Sequence, residues 1–396
     1  MIQIAIMGLG TVGTGVAKVI AENSRQIERK LGEPLQVKRV LVRRFKDGPY
    51  RQLMTDDFTK IEEDDDIRVV VETIGGVDAA YEYTKRALMA GKHVVTANKQ
   101  LVAEKGCELL ALARRKNVSY LFEASVGGGI PVLHPLTQCM AANRIDEVYG
   151  ILNGTTNYIL TRMVRTGASF ADALAEAQEK GYAEADPTAD VEGIDAGRKT
   201  CILADLAFGH QVDPDNVPME GISKLYLEDV KIAERGGYRI KLRGRAVRLP
   251  NGRSAYVAPH LIQEDHPMAN VEDVFNAVMV KGNATGDVMF YGRGAGEMPT
   301  ASACVSDVME VLQSSARRDE INWSEDGEGF VDPAELKNRY YFRIPGSLTI
   351  AAADFGEVEV LSEGSETAFL TEPITGREAQ AHAERLRAIA CLRVLG

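Results

Sequence analysis

The stretch Ile2–Gly13, IQIAIMGLGTVG, decides the fold of the first part of this chain. Its first six residues, Ile2–Met7, are an apolar run typical of a buried strand. Gly8, Gly10 and Gly13 follow at once with the spacing G-x-G-x-x-G, and a helical pattern begins directly after them. Three such glycines alone are a weak signal, but between a strand and a helix they predict a dinucleotide-binding turn.

Each glycine of this turn has its own physical role. Gly8 permits the tight turn, Gly10 lets the backbone approach a pyrophosphate, and Gly13 lets the helix pack closely on the strand. The N–H groups at the start of the helix, around Thr11 and Val12, then point at the phosphates. We therefore predict that these five residues bind a dinucleotide cofactor.

Strand and helix patterns alternate through the next hundred or so residues. Further strands are predicted at 36–42, 67–71, 93–96 and 119–122, with helices at 81–90 and 107–116. This alternation predicts a Rossmann-type, doubly wound parallel sheet over residues 1–135, with right-handed crossovers. Ligands of such sheets lie beyond the carboxyl ends of the strands.

Loops at those strand ends contain candidate site residues. Ile74 and Gly75 follow the predicted third strand, and Lys99 follows the fourth. A loop lysine is usually a solvated charge, but at this edge Lys99 would lie near both the nicotinamide and the substrate. The second strand is followed by Arg43 and Arg44, whereas an NAD-binding sheet usually has an acid there for the ribose 2′-hydroxyl. Paired guanidinium groups suit a 2′-phosphate, so we predict that NADP(H) is preferred and NAD(H) is possible.

A second stretch, Gly181–Thr200 (GYAEADPTADVEGIDAGRKT), predicts the chemistry. Asp190 is a plausible N-cap for a helix over about 191–209. Asp195 and Lys199 then lie four residues apart on the apolar stripe of that helix. An isolated pair of this kind is more often a surface ion pair that contributes about 0.3–0.5 kcal/mol. On an apolar stripe, however, desolvation would lower the lysine pKa toward the range useful for proton transfer.

The same stretch closely resembles the signature of homoserine dehydrogenases, Gly-Tyr-x-Glu-x-Asp-Pro followed by Asp-x-x-Gly-x-Asp and an Arg-Lys pair. The resemblance extends over roughly residues 1–320. It implies that Lys199 is the acid/base for the substrate oxygen, that Asp195 assists it, and that Glu184 holds the substrate amino group. It also implies substrate-binding roles for Asp190 and Lys99.

The resemblance implies two further sites. The loop after the predicted strand 119–122 would hold a monovalent cation, best suited to sodium, through the Glu123 carboxylate and the carbonyls of Val126, Gly128 and Ile130. The alternative for this loop is a glycine-rich turn packed under the cofactor. Gly294 and Gly296 would make the last cofactor contact, before a helix near 299–318 that returns to the first domain.

Residues 136–298 are predicted to form an α+β domain for substrate binding and dimerisation. Its strand patterns lie at 144–152, 238–249 and 255–262, and its first two helical patterns at 158–165 and 170–180. Asn251-Gly252 predicts a hairpin between the last two strands. The open sheet could pair across a two-fold axis, and the resemblance implies a homodimer, with a homotetramer as the alternative.

Residues 335–396 resemble a shortened ACT-like α+β module, which is a small ferredoxin-like domain. Strands are expected at 340–344, 358–361, 368–371 and 392–395, with a short helix opened by 345–348 and a longer one at 377–390. Only about sixty residues are present, fewer than such a module usually needs. A Pro345-Gly346 turn also replaces the polar loop that usually builds the effector site. We interpret this segment as a degenerate dimerisation tail.

Composition limits the class of partner. The 396-residue chain is 45% hydrophobic with a net charge of −11, which predicts a small-molecule substrate and no nucleic acid, because a phosphate-binding surface needs a basic excess. Its five cysteines show no C-x-x-C spacing, as is typical of reduced thiols in a cytoplasmic protein. The absence of a transmembrane-length apolar run and of a signal-peptide pattern predicts no membrane association.

These features predict the NAD(P)H-dependent reduction of L-aspartate 4-semialdehyde to L-homoserine, a step toward threonine, methionine and isoleucine. Two alternatives stay open. A different amino-acid or semialdehyde dehydrogenase would keep the glycine turn but has no reason to keep Glu184, Asp195 and Lys199 in this order. A catalytically silent cofactor sensor predicts loss of the lysine, which is present.

Overall fold

The computed structural model describes residues 1–313, 323–324 and 329–395. The helix predicted near 299–318 is observed as Glu297–Gln313, and residues 314–318 lie outside the described residues.

The first part of the chain alternates strands and helices as predicted. Its elements are β1 (Ile2–Met7), α1 (Thr11–Glu22), α2 (Ser24–Leu31), β2 (Leu35–Leu41), β3 (Met54–Thr55), α3 (Thr59–Glu62), β4 (Ile67–Glu72), α4 (Asp78–Met89), β5 (His93–Thr96), α5 (Lys99–Arg115) and β6 (Tyr120–Leu121). The six strands form one parallel sheet in the order β3-β2-β1-β4-β5-β6, which is the Rossmann order. The predicted Rossmann-type parallel sheet is confirmed.

The start of α5 differs from the prediction. The helix begins at Lys99 rather than near 107, because the Asn98 side chain caps it by accepting a hydrogen bond from the Leu101 N–H at 3.1 Å. Lys99 therefore lies in the first turn of a helix and not in a loop. The short elements α2, β3 and α3 were not predicted.

The second part of the chain combines a mixed sheet with helices. Its elements are β7 (Ile145–Ile151), α6 (Gly154–Thr166), α7 (Phe170–Glu179), α8 (Thr188–Val191), α9 (Ile194–Phe208), α10 (Leu227–Arg235), β8 (Tyr238–Leu249), β9 (Gly252–Gln263), β10 (Phe275–Gly282), β11 (Gly286–Arg293) and α11 (Glu297–Gln313). The hairpin β8–β9 turns at the predicted Asn251-Gly252, where Gly252 has a φ of +149°.

The first sheet is buried on both faces. Ile4 and Ile6 of β1 pack with α1 and α11, whereas Ala5 and Met7 pack on the opposite face with α4 and α5. Gly15 of α1 allows α11 to approach, since a Cβ there would lie 2.7 Å from a carbonyl oxygen of α11. Helix α11, which follows strand β11 of the second sheet, thus returns to the first sheet.

The helix predicted over 191–209 is observed as α9, which begins at Ile194, and the first predicted residue belongs to the separate short helix α8. α8 and α9 are separated at Gly193, whose φ of +82° lies in the left-handed region that favours glycine. Asp190 therefore belongs to α8, and its prediction as the N-cap of the long helix was wrong. The end of α9 at Gly209, which has a φ of +77°, agrees with the prediction.

The C-terminal segment joins the second sheet. Its elements are β12 (Lys337–Asn338), β13 (Tyr340–Pro345), α12 (Leu348–Phe355), β14 (Glu359–Ser362), β15 (Glu366–Leu370), β16 (Ile374–Thr375), α13 (Gly376–Leu386) and β17 (Ala390–Val394). Strand β17 pairs in parallel with β9, so one nine-stranded sheet runs β11-β10-β7-β8-β9-β17-β13-β15-β14. Four of the segment's six strands have a ferredoxin-like order, β17-β13-β15-β14, but they continue the second sheet, which the sequence did not predict. Within the described residues, none of the helices is both long and apolar enough to cross a membrane.

Candidate active site

Asp195 and Lys199 form a buried ion pair on α9. The Lys199 Nζ donates to Asp195 Oδ2 and to the Leu152 carbonyl oxygen, each at 2.7 Å. Only 4% of Asp195 and 8% of Lys199 are exposed, which excludes the surface-pair interpretation. The pair lies on one helix, α9, as predicted, and Leu152 directly follows β7.

Lys99, the first residue of α5 in the Rossmann-type part of the chain, contacts the same carboxylate. Its Nζ lies 2.5 Å from Asp195 Oδ1, so Asp195 contacts one lysine with each oxygen. Lys99 is 39% exposed at its side chain, whereas Lys199 is 10% exposed. The cap at Asn98 starts α5 at Lys99 and so places this lysine where α5 meets α9, with its side chain partly open to solvent.

Asn153 is a site residue that the sequence analysis did not single out. Its Nδ2 donates to Asp190 Oδ1 at 2.7 Å and to Asp195 Oδ2 at 2.9 Å. Its Oδ1 accepts from the Thr156 N–H at 2.8 Å and so caps α6. Asn before Gly-Thr-Thr and an apolar run is a readable capping signal. Its contact with two carboxylates forty residues away could only be seen in three dimensions.

Burial and charge act in opposite directions in this cluster. Burial alone would raise the pKa of Asp195, but the ammonium groups of Lys199 and Lys99 hold it below its ordinary value. Burial lowers the pKa of Lys199; Lys99 lowers it further, and Asp195 opposes both effects. Burial also raises the pKa of Asp190, against the hydrogen bond from Asn153. A lysine with a lowered pKa is suited to proton transfer.

Glu184 lies outside this hydrogen-bonded cluster. It is exposed in the loop between α7 and α8, and its carboxylate has no hydrogen-bond or ion-pair partner among the residues that the structure describes. Its backbone carbonyl accepts from the Gln178 side chain at 3.0 Å, which fixes the loop. The structure thus leaves this carboxylate available for a ligand.

The glycine turn fits a dinucleotide. A Cβ on Gly13 would lie 2.0 Å from the Gly8 carbonyl oxygen, so this contact requires glycine. A Cβ on Gly10 would meet no atom within 4 Å, so this face of the turn is open. Gly10 is also the N-cap of α1 and supplies no side-chain hydrogen bond, which leaves the N–H groups around Thr11 and Val12 for a phosphate.

The other predicted cofactor residues lie in connections between elements. Arg43 and Arg44 follow β2 and are exposed, and Ile74 and Gly75 lie in the turn after β4. Gly294 and Gly296 lie between β11 and α11.

The predicted cation loop packs against the Gly294 turn. A Cβ on Gly128 would lie 2.5 Å from the Gly294 carbonyl oxygen. The Glu123 carboxylate accepts hydrogen bonds from three consecutive backbone N–H groups, those of Val132, Leu133 and His134, at 2.6–2.9 Å. It therefore holds the backbone that follows the loop. Within the described ranges no group of three or more His, Cys, Asp or Glu side chains could hold a metal ion, so any cation here depends on backbone carbonyls.

Comparison with known proteins gives a consistent result. The family model "Homoserine dehydrogenase, NAD binding domain" matches residues 8–123, and the model "Homoserine dehydrogenase" matches residues 131–309. The homoserine dehydrogenase of Pseudomonas aeruginosa is 47% identical over 315 residues, which is 79% of this chain and 73% of that protein.

Solved structures agree. A homoserine dehydrogenase from Thiobacillus denitrificans superimposes with a TM-score of 0.91 at 38% identity, covering 100% of this chain and 98% of that one. A hyperthermophilic archaeal homoserine dehydrogenase in complex with NADPH gives a TM-score of 0.68 at 27% identity, covering 80% of this chain and 99% of that one. This chain therefore belongs to the homoserine dehydrogenase family, the NAD(P)-dependent oxidoreductases that act on the CH–OH group of homoserine.

Proposed function

We propose that this chain reduces L-aspartate 4-semialdehyde to L-homoserine with Lys199 as the proton donor to the aldehyde oxygen. The observation that carries this proposal is the hydrogen bonding of the Lys199 ammonium. It has three protons, of which two are directed to Asp195 Oδ2 and the Leu152 carbonyl. No other group among the described residues accepts a hydrogen bond from the Lys199 ammonium. Its third proton is therefore available to the substrate.

The remaining residues of the cluster bind and orient. The nicotinamide cofactor supplies the hydride when it is bound. Negative charge then grows on the aldehyde oxygen, and the buried Lys199 ammonium stabilises that charge and donates its proton. Asp195 holds the ammonium in place, and Asn153 orients Asp195. In the reverse direction the neutral Lys199 amine would accept the hydroxyl proton of homoserine.

Charged residues around the cluster match the amino-acid part of the substrate. The exposed carboxylate of Glu184 would pair with the substrate ammonium, with Asp190 as a second acceptor. The partly exposed Lys99 ammonium would pair with the substrate carboxylate. The test is NADPH oxidation by the purified protein with aspartate semialdehyde, compared with other short aldehydes that lack the ammonium or the carboxylate. Equal rates with those aldehydes would contradict the proposal.

We further propose a sodium site in the loop 123–130. The carbonyls of Val126, Gly128 and Ile130 offer neutral oxygen ligands, which suit a monovalent cation. The Glu123 carboxylate has about four lone-pair positions, of which three receive backbone hydrogen bonds, so one remains for the cation. We also propose a homodimer, since β11 and β14 are edge strands of the open second sheet. A homotetramer is the alternative that a measured mass would reveal.

Arg43 and Arg44 lead us to predict tighter binding of NADP(H) than of NAD(H). Both are exposed after β2, where a ribose 2′-phosphate would lie in a Rossmann sheet. Replacing both with alanine should weaken NADP(H) binding about tenfold or more, because hydrogen bonds to charged groups contribute about 1.5–3 kcal/mol. Fluorescence titration with NADPH and NADH measures this. Arg29→Ala, which removes an exposed arginine of α2, is the control, and a preference for NADH that survives the double replacement would contradict the prediction.

The C-terminal segment leads us to predict that L-threonine at millimolar concentration inhibits weakly or not at all, with a hyperbolic substrate curve. The connection Gly346–Ser347 between β13 and α12 offers no carboxylate or amide side chain for an amino-acid effector. Initial rates with and without threonine measure this in the whole chain, because β17 pairs with β9 and deleting the segment would disrupt the sheet. Strong inhibition with a sigmoidal curve would show that the segment regulates the enzyme.

A further inference from the structure

Glu72 is a buried carboxylate that the proposed mechanism does not use. It is the last residue of β4 and is 0% exposed, between Met7 of β1 and Thr96 of β5 in the sheet register. Burial raises the pKa of this carboxyl to about 7, against hydrogen bonds from Thr96, Ile74 and Asn98. No lysine, arginine or histidine within the described residues offsets its charge. Burying a carboxyl group without a positively charged partner costs free energy, which indicates that Glu72 has a role beyond packing.

The hydrogen bonds of Glu72 join two loops at the carboxyl edge of the sheet. Its Oε1 accepts from the Ile74 N–H at 2.5 Å, and its Oε2 accepts from the Thr96 hydroxyl. The Thr96 hydroxyl oxygen in turn accepts from the Asn98 N–H at 2.9 Å. The Asn98 side chain donates to the carbonyls of Ile74 and Gly76, at 3.0 and 2.6 Å, and caps α5. The turn after β4 and the start of α5 thus form one hydrogen-bonded unit.

This unit ends at the active site. Lys99 is the first residue of α5, directly after Asn98, and its ammonium contacts Asp195 on the other sheet. The Ile74 turn, at the other end of the unit, lies among the predicted cofactor contacts. A shift of either loop would therefore change both the position of Lys99 and the surface that meets the cofactor.

We propose that Glu72 is a positioning residue, which acts through Thr96 and Asn98 to hold Lys99 and the Ile74 turn in their working geometry. The inference rests on the role proposed for Lys99. An ionised carboxylate accepts both hydrogen bonds and strengthens them by its charge. A carboxyl protonated on Oε2 donates toward the Thr96 oxygen instead, so the Thr96 hydroxyl loses its acceptor, and the bond from the Ile74 N–H becomes weaker.

The charge state of Glu72 gives the unit a pH dependence. The other titratable groups that face it are the Tyr120 phenol of β6 and the Cys304 thiol of α11. Burial raises the pKa of both, so both are neutral near pH 7 and neither changes charge there. Because the pKa of Glu72 is raised, its ionised form is present above about pH 7 and is lost as the pH falls. Cofactor affinity should fall in the same direction.

The test is Glu72→Gln in the full chain, which keeps the shape and removes the charge. We expect the cofactor KM to rise and kcat to fall, each about tenfold, because a misplacement of about 1 Å can cost about 10²-fold and the loss of one of several hydrogen bonds should move these loops by less than that. The rise in wild-type cofactor KM below about pH 7 should be absent in the variant. Thr96→Val should resemble Glu72→Gln, and Thr96→Ser, which keeps the hydroxyl, should restore most of the loss.

Two controls separate the possible failures. Glu62→Gln removes a partly buried carboxylate that pairs with Arg86 in the same domain, and should keep the wild-type cofactor KM. If Glu72→Gln lowers the melting temperature but leaves KM, kcat and the pH profile unchanged, Glu72 is only structural and the inference is wrong. If Lys99→Ala is also fully active, the role of Lys99 fails as well; if Lys99→Ala is impaired, only the inference about Glu72 fails.

Discussion

Lys199→Ala is expected to lower turnover about 10²–10⁴-fold, which is the typical contribution of a positioned acid or base. Lys199 is only 8% exposed, and its ammonium is held by Asp195 and the Leu152 carbonyl, so water cannot replace it easily. Cofactor binding should stay near wild type, because the glycine turn and the arginines after β2 belong to the first sheet's connections, whereas Lys199 lies on α9 in the second part of the chain.

Steady-state kinetics and NADPH titration measure the two effects separately. Lys224→Ala, which removes an exposed lysine outside the cluster, is the matched control. Turnover of Lys199→Ala within about tenfold of wild type would contradict the mechanism. Loss of cofactor affinity together with turnover would instead indicate a general structural defect.

The lowered pKa of Lys199 gives the same prediction a pH signature. Aldehyde reduction requires the ammonium form, so its rate should fall as the pH rises through the lysine pKa, and homoserine oxidation should rise over the same range. Asp195→Asn removes the negative charge that favours the Lys199 ammonium, so the pH–rate profiles of reduction and of oxidation should both move to lower pH. Lys99→Ala removes a neighbouring positive charge and should move both pH–rate profiles to higher pH. Shifts in the same direction in the two variants would contradict this assignment.

Asp229→Ala is expected to destabilise the protein by about 3–5 kcal/mol, the range for removing one partner of a buried ion pair. Asp229 on α10 is 0% exposed and accepts from Arg343 Nε at 2.7 Å, from Arg343 Nη2 at 3.0 Å and from the Tyr341 hydroxyl at 2.8 Å. The bidentate pair connects the C-terminal strand β13 to helix α10. Its loss would leave a buried guanidinium whose remaining carboxylate partner, among the residues that the structure describes, is the half-exposed Glu366.

Chemical denaturation followed by circular dichroism measures this loss. Glu228→Ala, next in sequence but part of an exposed pair with Arg235, should change the free energy of unfolding by less than about 1 kcal/mol. Replacing both partners, as Asp229→Leu with Arg343→Met, should recover part of the loss because no unpaired charge is then buried. A single-variant effect as small as that of Glu228→Ala would show that the pair does not hold the segment.

Much of the fold could be predicted because its signals are local. The apolar strand before the glycine turn and the alternation after it led to the observed parallel sheet, since period-2 and period-3.6 patterns reflect which faces are buried. The ends of the helices are predicted less accurately. Apolar periodicity alone predicts that α5 begins near 107, whereas the Asn98 cap starts the helix at Lys99. The break at Gly193 lies inside a continuous apolar stripe, so periodicity does not reveal it.

The sequence by itself determined the family, the dinucleotide turn and the pair Asp195–Lys199, because each depends on residues close together in the chain. Only the tertiary structure placed Lys99 and Asn153 on the same carboxylate, joined the C-terminal strands to the substrate-domain sheet, and connected Glu72 to Lys99 through Thr96 and Asn98. These contacts join residues from separate elements, and no local propensity or spacing specifies which of many compatible side chains will meet. Their partners are chosen by how the two sheets pack, a property of the whole chain.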